Sequence, residues 1–110
     1  MSNLGRIEQL LEFCREEPDE PFNFYALALE YQNSNPQQAE LYFEKLLERF
    51  AHYLPTYYHA ALFYAQQDEI QKAKGIYEKG IELAKEQKNA HALRELQNAY
   101  QNFLFEYDPD

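Results

Sequence analysis

Valine is absent from this 110-residue chain, threonine occurs once (Thr56) and isoleucine four times. Strands draw on such β-branched residues, so the composition argues strongly against a sheet. The only glycines are Gly5, Gly75 and Gly80, too few and too scattered for a loop that cradles phosphate. Gly75 and Gly80 fall inside a helical pattern, where close packing is the expected reason for them. Cys14 is the one cysteine, which excludes an internal disulfide. It falls on an apolar helix face and reads as a small buried hydrophobe rather than a reactive thiol. No apolar run approaches the roughly 18–20 residues that a membrane span needs. The N-terminus lacks the basic segment and apolar run of a signal peptide, so the expected location is cytoplasmic.

Chemistry is equally sparse. Ser2, Ser34 and Thr56 are the aliphatic hydroxyls, placed at the terminus and in turns, and none has a nucleophile-elbow context. His52, His59 and His91 show no zinc-ligand spacing. Glu48 and His52 share a helix face, as surface pairs commonly do. No enzyme, cofactor or metal site is expected. The net charge is −9, which repels a phosphate backbone or an anionic membrane, so neither nucleic acid nor membrane is an expected partner. Residues 8–20 carry six acids against Arg15, whereas residues 72–94 hold six of the ten basic residues. Solvated helix faces explain this, and a basic partner or end-to-end contact is the alternative.

What the chain does have is leucine, alanine and rings: ten tyrosines and eight phenylalanines, suited to filling space between helices. Ile7, Leu10, Leu11 and Cys14 form an i, i+3, i+4, i+7 stripe on a first helix, 4–16, which Pro18 and Pro21 stop. Asp19 and Glu20 suit the positive start of a second helix, 22–32. The Asn33–Pro36 turn leads to a third over about 37–51, with Pro36 placed to open it. Tyr53-Leu54-Pro55 breaks the chain before a fourth, 56–67. A fifth runs from Ile70 to about Gln87. A last helix follows Asn89, with Leu93, Leu96, Tyr100, Leu104 and Tyr107 on one side. Turns of two to five residues predict six antiparallel helices.

The same hairpin occurs twice. Phe24-Tyr25-Ala26-Leu27-Ala28-Leu29-Glu30-Tyr31 recurs as Tyr57-Tyr58-His59-Ala60-Ala61-Leu62-Phe63-Tyr64, 33 residues on. Ala39, Phe43, Leu46 and Leu47 recur 34 residues on as Ala73, Tyr77, Gly80 and Ile81. The difference of one places a single-residue deletion in the Asn33–Pro36 turn. Such a period marks stacked supersecondary units that act by presenting a surface.

At these residues the chain resembles the tetratricopeptide repeat (TPR) family, and short stand-alone bacterial members in particular. The family pattern places a large residue, Leu-Gly and Tyr on the first helix, then Ala, an aromatic and Ala on the second. Tyr57, Ala60, Ala61, Tyr64, Ala73, Tyr77 and Gly80 answer it in one hairpin. Phe24, Leu27, Ala28, Tyr31, Ala39, Phe43 and Leu46 answer it in the other. Leu46 is larger than the family's usual Ala, and Ala60 smaller than its usual Leu. The resemblance implies an all-α, TPR-like α-α superhelix in which 1–110 form one domain. A capping helix at 4–17 precedes repeat 1 (21–53) and repeat 2 (54–87), and a capping helix at 89–107 closes the stack.

The resemblance also implies a non-catalytic scaffold that binds a protein or peptide segment in a concave groove. Carried over by position, the groove residues are Tyr25, Leu29 and Gln32, then Tyr58, His59, Leu62 and Gln66. The last helix adds Arg94, Asn98 and Gln101, with Phe105 beside them. Tyrosine offers a large apolar face and a hydrogen-bonding tip at small entropic cost. Tyr25 and Tyr58 are equally explained as covers for the repeat junction. One TPR subclass clamps chaperone C-terminal carboxylates with basic and amide residues. Tyr25, Leu29 and His59 occupy those places here and only Arg94 is basic, so no chaperone tail is expected. The alternative function is self-association, as a homodimer through residues 92–107, because Phe103-Leu104-Phe105-Glu106-Tyr107 is a dense apolar ending.

Overall fold

Prolines set the starts of three helices. In the computed structural model, which describes residues 3–107, α2 (Pro21–Tyr31), α3 (Pro36–Arg49) and α4 (Pro55–Gln66) each open on proline. Proline suits that position because its missing N–H would be unpaired there anyway and its φ is already helical. These helices therefore begin one residue before the sequence pattern places them. α1 (Asn3–Glu16), α5 (Ile70–Glu86) and α6 (Ala90–Tyr107) complete an all-α chain, with no strand among the described residues.

Side chains finish several helix starts. The Phe22 N–H donates to the Glu20 carboxylate at 3.2 Å, the Gln38 N–H to Asn35 Oδ1 at 3.3 Å and the Ala92 N–H to Asn89 Oδ1 at 3.0 Å. Each satisfies one of the free N–H groups that a helix leaves at its N-terminus. Two C-termini close with the chain in the left-handed region, at Asp68 (φ 64°) and Lys88 (φ 56°).

The one-residue slip between the hairpins has a structural origin. α2 stops at Tyr31, whereas α4 continues two residues past the equivalent Tyr64, to Gln66. The following turn is one residue shorter, spanning 67–69 instead of 32–35. The slip is therefore the net of a helix longer by two residues and a turn shorter by one, rather than a deletion in the turn alone as the sequence suggests.

The helices form two compact units that meet in the sequence at Tyr53–Leu54. In the first, α1, α2 and α3 bury a cluster of Ile7, Leu10, Cys14, Phe24, Ala26, Leu27 and Leu46. The Phe24 ring stacks with Tyr42 and Phe50, at 6.3 and 5.7 Å between centroids. Lys45 Nζ lies over the Phe24 ring, 5.0 Å from its centroid. Burial pushes the Cys14 thiol above its usual range against the opposing pull of Lys45 and Arg15, which fits a structural cysteine.

In the second unit, α4, α5 and α6 bury Tyr57, Ala60, Ala61, Tyr64, Ala73, Tyr77, Gly80, Leu96 and Phe103. Gly80 is here for proximity, since a Cβ on it would lie 2.7 Å from Tyr57 Cβ. Gly75 does not share that reason: nothing lies within 4 Å of where its Cβ would stand. Close packing, the expectation from sequence, thus holds for one of the two helical glycines and fails for the other.

Candidate peptide-binding cleft

The second unit contains a cleft of about 320 Å³. One wall is a stripe of α4: Tyr58, Leu62, Ala65 and Gln66, spaced so that they share a helix face. The facing wall is a stripe of α6: Ala99, Asn102, Phe103, Glu106 and Tyr107, spaced in the same way. Tyr77 of α5 contributes its buried ring between them. Ala65 and Ala99 project no further than a methyl group, which keeps the walls apart. The volume is at the lower end of the range that holds a side chain or small ligand, about 300–1,000 Å³.

The lining combines a firm base with accessible walls. Tyr77 and Phe103 are buried, with ring centroids 5.3 Å apart, and Phe103 lies 5.4 Å from Tyr107. Tyr58 and Leu62 remain 37% and 42% exposed, so they are open to a ligand without rearrangement. Burial pushes the Tyr77 phenol up to about 12, with smaller contributions from Tyr58 and Tyr107. At neutral pH it is therefore a neutral donor and acceptor. A second, more open depression of about 490 Å³ lies between Glu78, Ile81, Glu82 and Lys85 of α5 and Tyr100 of α6. There the Tyr100 hydroxyl donates to Glu78 Oε2 at 2.6 Å, so these two groups are already paired.

No protein-family model matches the chain, and comparison with curated proteins finds no match. Solved structures do match. The chain is similar to the crystal structure of a tetratricopeptide repeat domain protein from Salinibacter ruber, with 38% identity and a TM-score of 0.71. That match covers 76% of this chain and 96% of the other. A solution NMR structure of a tetratricopeptide repeat domain protein from the same organism matches with 35% identity and a TM-score of 0.77. It covers 84% of this chain and 94% of that one. The chain belongs to the tetratricopeptide repeat family. Its helices have the all-α TPR fold that the sequence pattern implies.

Within this TPR fold the residues carried over from sequence are distributed unevenly. Tyr58, Leu62 and Gln66 come together in the cleft. His59 is half-buried beside Tyr58, with ring centroids 5.2 Å apart, and is not part of the lining. Burial lowers its imidazole pKa, partly opposed by the Glu95 carboxylate. Arg94, Asn98 and Gln101 are exposed on α6 and do not line the cleft. At 100° per residue they fall about 140° around the helix from the stripe that does.

The reason is geometric. Carrying residues over by repeat position selects the same flank of every helix, whereas a cleft between two helices is walled by opposite flanks. Ala99, Asn102, Phe103, Glu106 and Tyr107 form an i, i+3, i+4, i+7, i+8 set in the sequence, but the spacing alone does not state which flank of α6 borders α4. In the first unit, Tyr25 and Leu29 are partly exposed on α2, and Gln32 is partly exposed at its C-cap. Tyr25 packs edge-on against Tyr53 at 5.6 Å and near Phe22 at 6.4 Å. Burial raises the Tyr25 phenol above its usual range, with Tyr53 adding to the effect.

No helix among the described residues is long and apolar enough to cross a membrane.

Proposed function

We propose that this TPR chain is a non-catalytic, cytoplasmic interaction module that holds a peptide or protein segment in the cleft of its second unit. The observation that carries the reading is the pair of opposed stripes on α4 and α6, with exposed Tyr58 and Leu62 over a buried Tyr77–Phe103 base. Covering a side chain such as Leu62 is worth up to about 1–2 kcal/mol, since it is already partly shielded. Gln66 and Asn102 supply the amide donors and acceptors that peptide groups require. On the first unit, Tyr25, Leu29 and Gln32 are proposed contacts of the same kind, as are exposed Arg94, Asn98 and Gln101 on α6.

Selection from a displayed peptide library tests this, followed by affinity measurement on Ala99→Leu, which narrows the cleft, and Leu62→Ala, which removes its apolar wall. We expect either change to weaken a selected peptide by about tenfold or more, as truncating a central contact does, with the melting temperature nearly unchanged. Selected peptides that bind both variants as tightly as the parent would contradict the reading.

A second reading, self-association, is favoured by one observation: Phe105 is 91% exposed on α6. It stands in the apolar ending Phe103-Leu104-Phe105-Glu106-Tyr107, where Tyr107 is also exposed, and a contiguous apolar patch of this kind is what a second copy covers. Sedimentation at micromolar concentration should then show a dimer that Phe105→Glu dissociates. A parent chain of about 13 kDa, the mass of one copy, would remove this reading and leave the first intact.

A further inference from the structure

The cleft has a sign of charge as well as a shape. Among the described residues that line it, Glu106 carries the only formal charge, and none is Lys, Arg or His. The rest of the accessible lining is strongly aromatic. Tyr58 and Tyr107 are each more than a third exposed, and they flank the buried Tyr77 and Phe103. Tyr58 and Tyr107 each act electrostatically on the Tyr77 phenol.

Each class of incoming group meets this lining differently. Aromatic faces carry negative potential, and a carboxylate adds a full negative charge. An anionic side chain would be repelled by both. A purely apolar one would strip water from Glu106 and return nothing to it. A cation stacks on the rings and pairs with the carboxylate together. A guanidinium does this best, because its plane matches a ring face and its fork matches a carboxylate. Its remaining N–H groups can donate to the amide carbonyls of Gln66 and Asn102. A net charge of −9 favours cations at longer range.

We propose that the cleft between α4 and α6 selects peptides anchored by a cationic side chain, arginine above all, flanked by apolar residues. The inference rests on reading the cleft as a peptide site and adds the charge of its occupant. Glu106 supplies the ion pair, Tyr58 and Tyr107 the stacking faces, and Leu62 the apolar contact for a flanking residue.

Amide-shift titrations with capped Ser-Leu-Xaa-Leu-Ser pentapeptides, where Xaa is Arg, Gln or Glu, test it. The arginine peptide should bind at least about tenfold more tightly than the glutamine peptide, with the glutamate peptide weakest, as expected for a partly desolvated cation–π and ion-pair site. Glu106→Gln should remove most of the arginine peptide's advantage over the glutamine peptide. Tyr58→Leu should reduce the same preference with the carboxylate still present. If all three peptides bind alike and shift Tyr58 and Leu62, the peptide site stands and the charge selectivity is wrong. If none shifts those residues, both are wrong. Should the cleft be filled by a second copy instead, the parent would sediment as a dimer that Glu106→Gln dissociates, which also overturns the proposal.

Discussion

A Cβ on Gly80 would stand 2.7 Å from Tyr57 Cβ, 3.2 Å from Tyr57 Cγ and 3.3 Å from Leu96 Cδ2. α5 thus accepts the stem of an α4 tyrosine against its own backbone. The stem of a side chain cannot swing away as its tip can, so the clash must move a helix or an entire rotamer. Gly80→Ala should destabilise the protein by about 1–3 kcal/mol, the usual cost of overpacking. Urea unfolding measures this, and an unchanged midpoint would mean that the contact relaxes at no cost.

Gly75, one and a half turns away on α5, gives the opposite sign. Its Cβ position is open, so alanine adds helix propensity and clashes with nothing. Gly75→Ala should stabilise by about 0.5–1 kcal/mol. Measured beside Gly80→Ala, it separates packing from propensity on one helix. Destabilisation by both variants would refute the distinction.

Lys88 closes α5 at φ 56°, where side chains are strained. Its N–H donates to the Lys85 carbonyl at 3.1 Å, and the Asn89 N–H donates to the Ala84 carbonyl at 3.0 Å. This paired closure wants glycine at the left-handed position. Lys88→Gly should raise stability by about 1 kcal/mol after the entropy lost by glycine is counted. Asp68 makes the same closure on α4 but belongs to a residue type that tolerates φ > 0, so Asp68→Gly should gain less. A larger gain at Asp68 in thermal denaturation would contradict this ordering.

His59 makes stability depend on mildly acidic pH. Burial lowers its folded-state pKa below the usual 6.5, with Glu95 pulling the other way. The unfolded chain therefore takes up this proton first, and the imidazole disfavours folding once it must charge. The sign follows from proton counting: the contribution is complete above the unfolded pKa and is lost as pH falls through the window between the two values. His59→Gln should flatten that part of the stability curve. Urea midpoints at pH values of roughly 7.5 and 5.5 bracket the ordinary histidine pKa, and an identical slope for parent and variant would exclude the role.

The fold was readable because each helix carries its signals locally. Pro21, Pro36 and Pro55 mark starts, apolar spacing marks buried faces, and the repeated Phe24–Tyr31 and Tyr57–Tyr64 segments mark the hairpins. The cleft was only half-readable. Tyr58, Leu62 and Gln66 follow from repeat position on α4, but the α6 wall depends on how that helix is rotated against α4. Leu93, Leu96 and Tyr100 identify an apolar side without stating which flank of it borders the opening. The difference between Gly75 and Gly80 was also hidden, because it depends on what stands opposite, here Tyr57, rather than on the helix containing them.

The most direct test of the account maps a selected peptide onto the protein by amide and side-chain chemical shifts. The largest changes should fall on Tyr58, Leu62, Gln66, Asn102 and Glu106, and Ala99→Leu should suppress all of them together. Changes confined to Phe105 and its exposed neighbours, with those five residues silent, would contradict it.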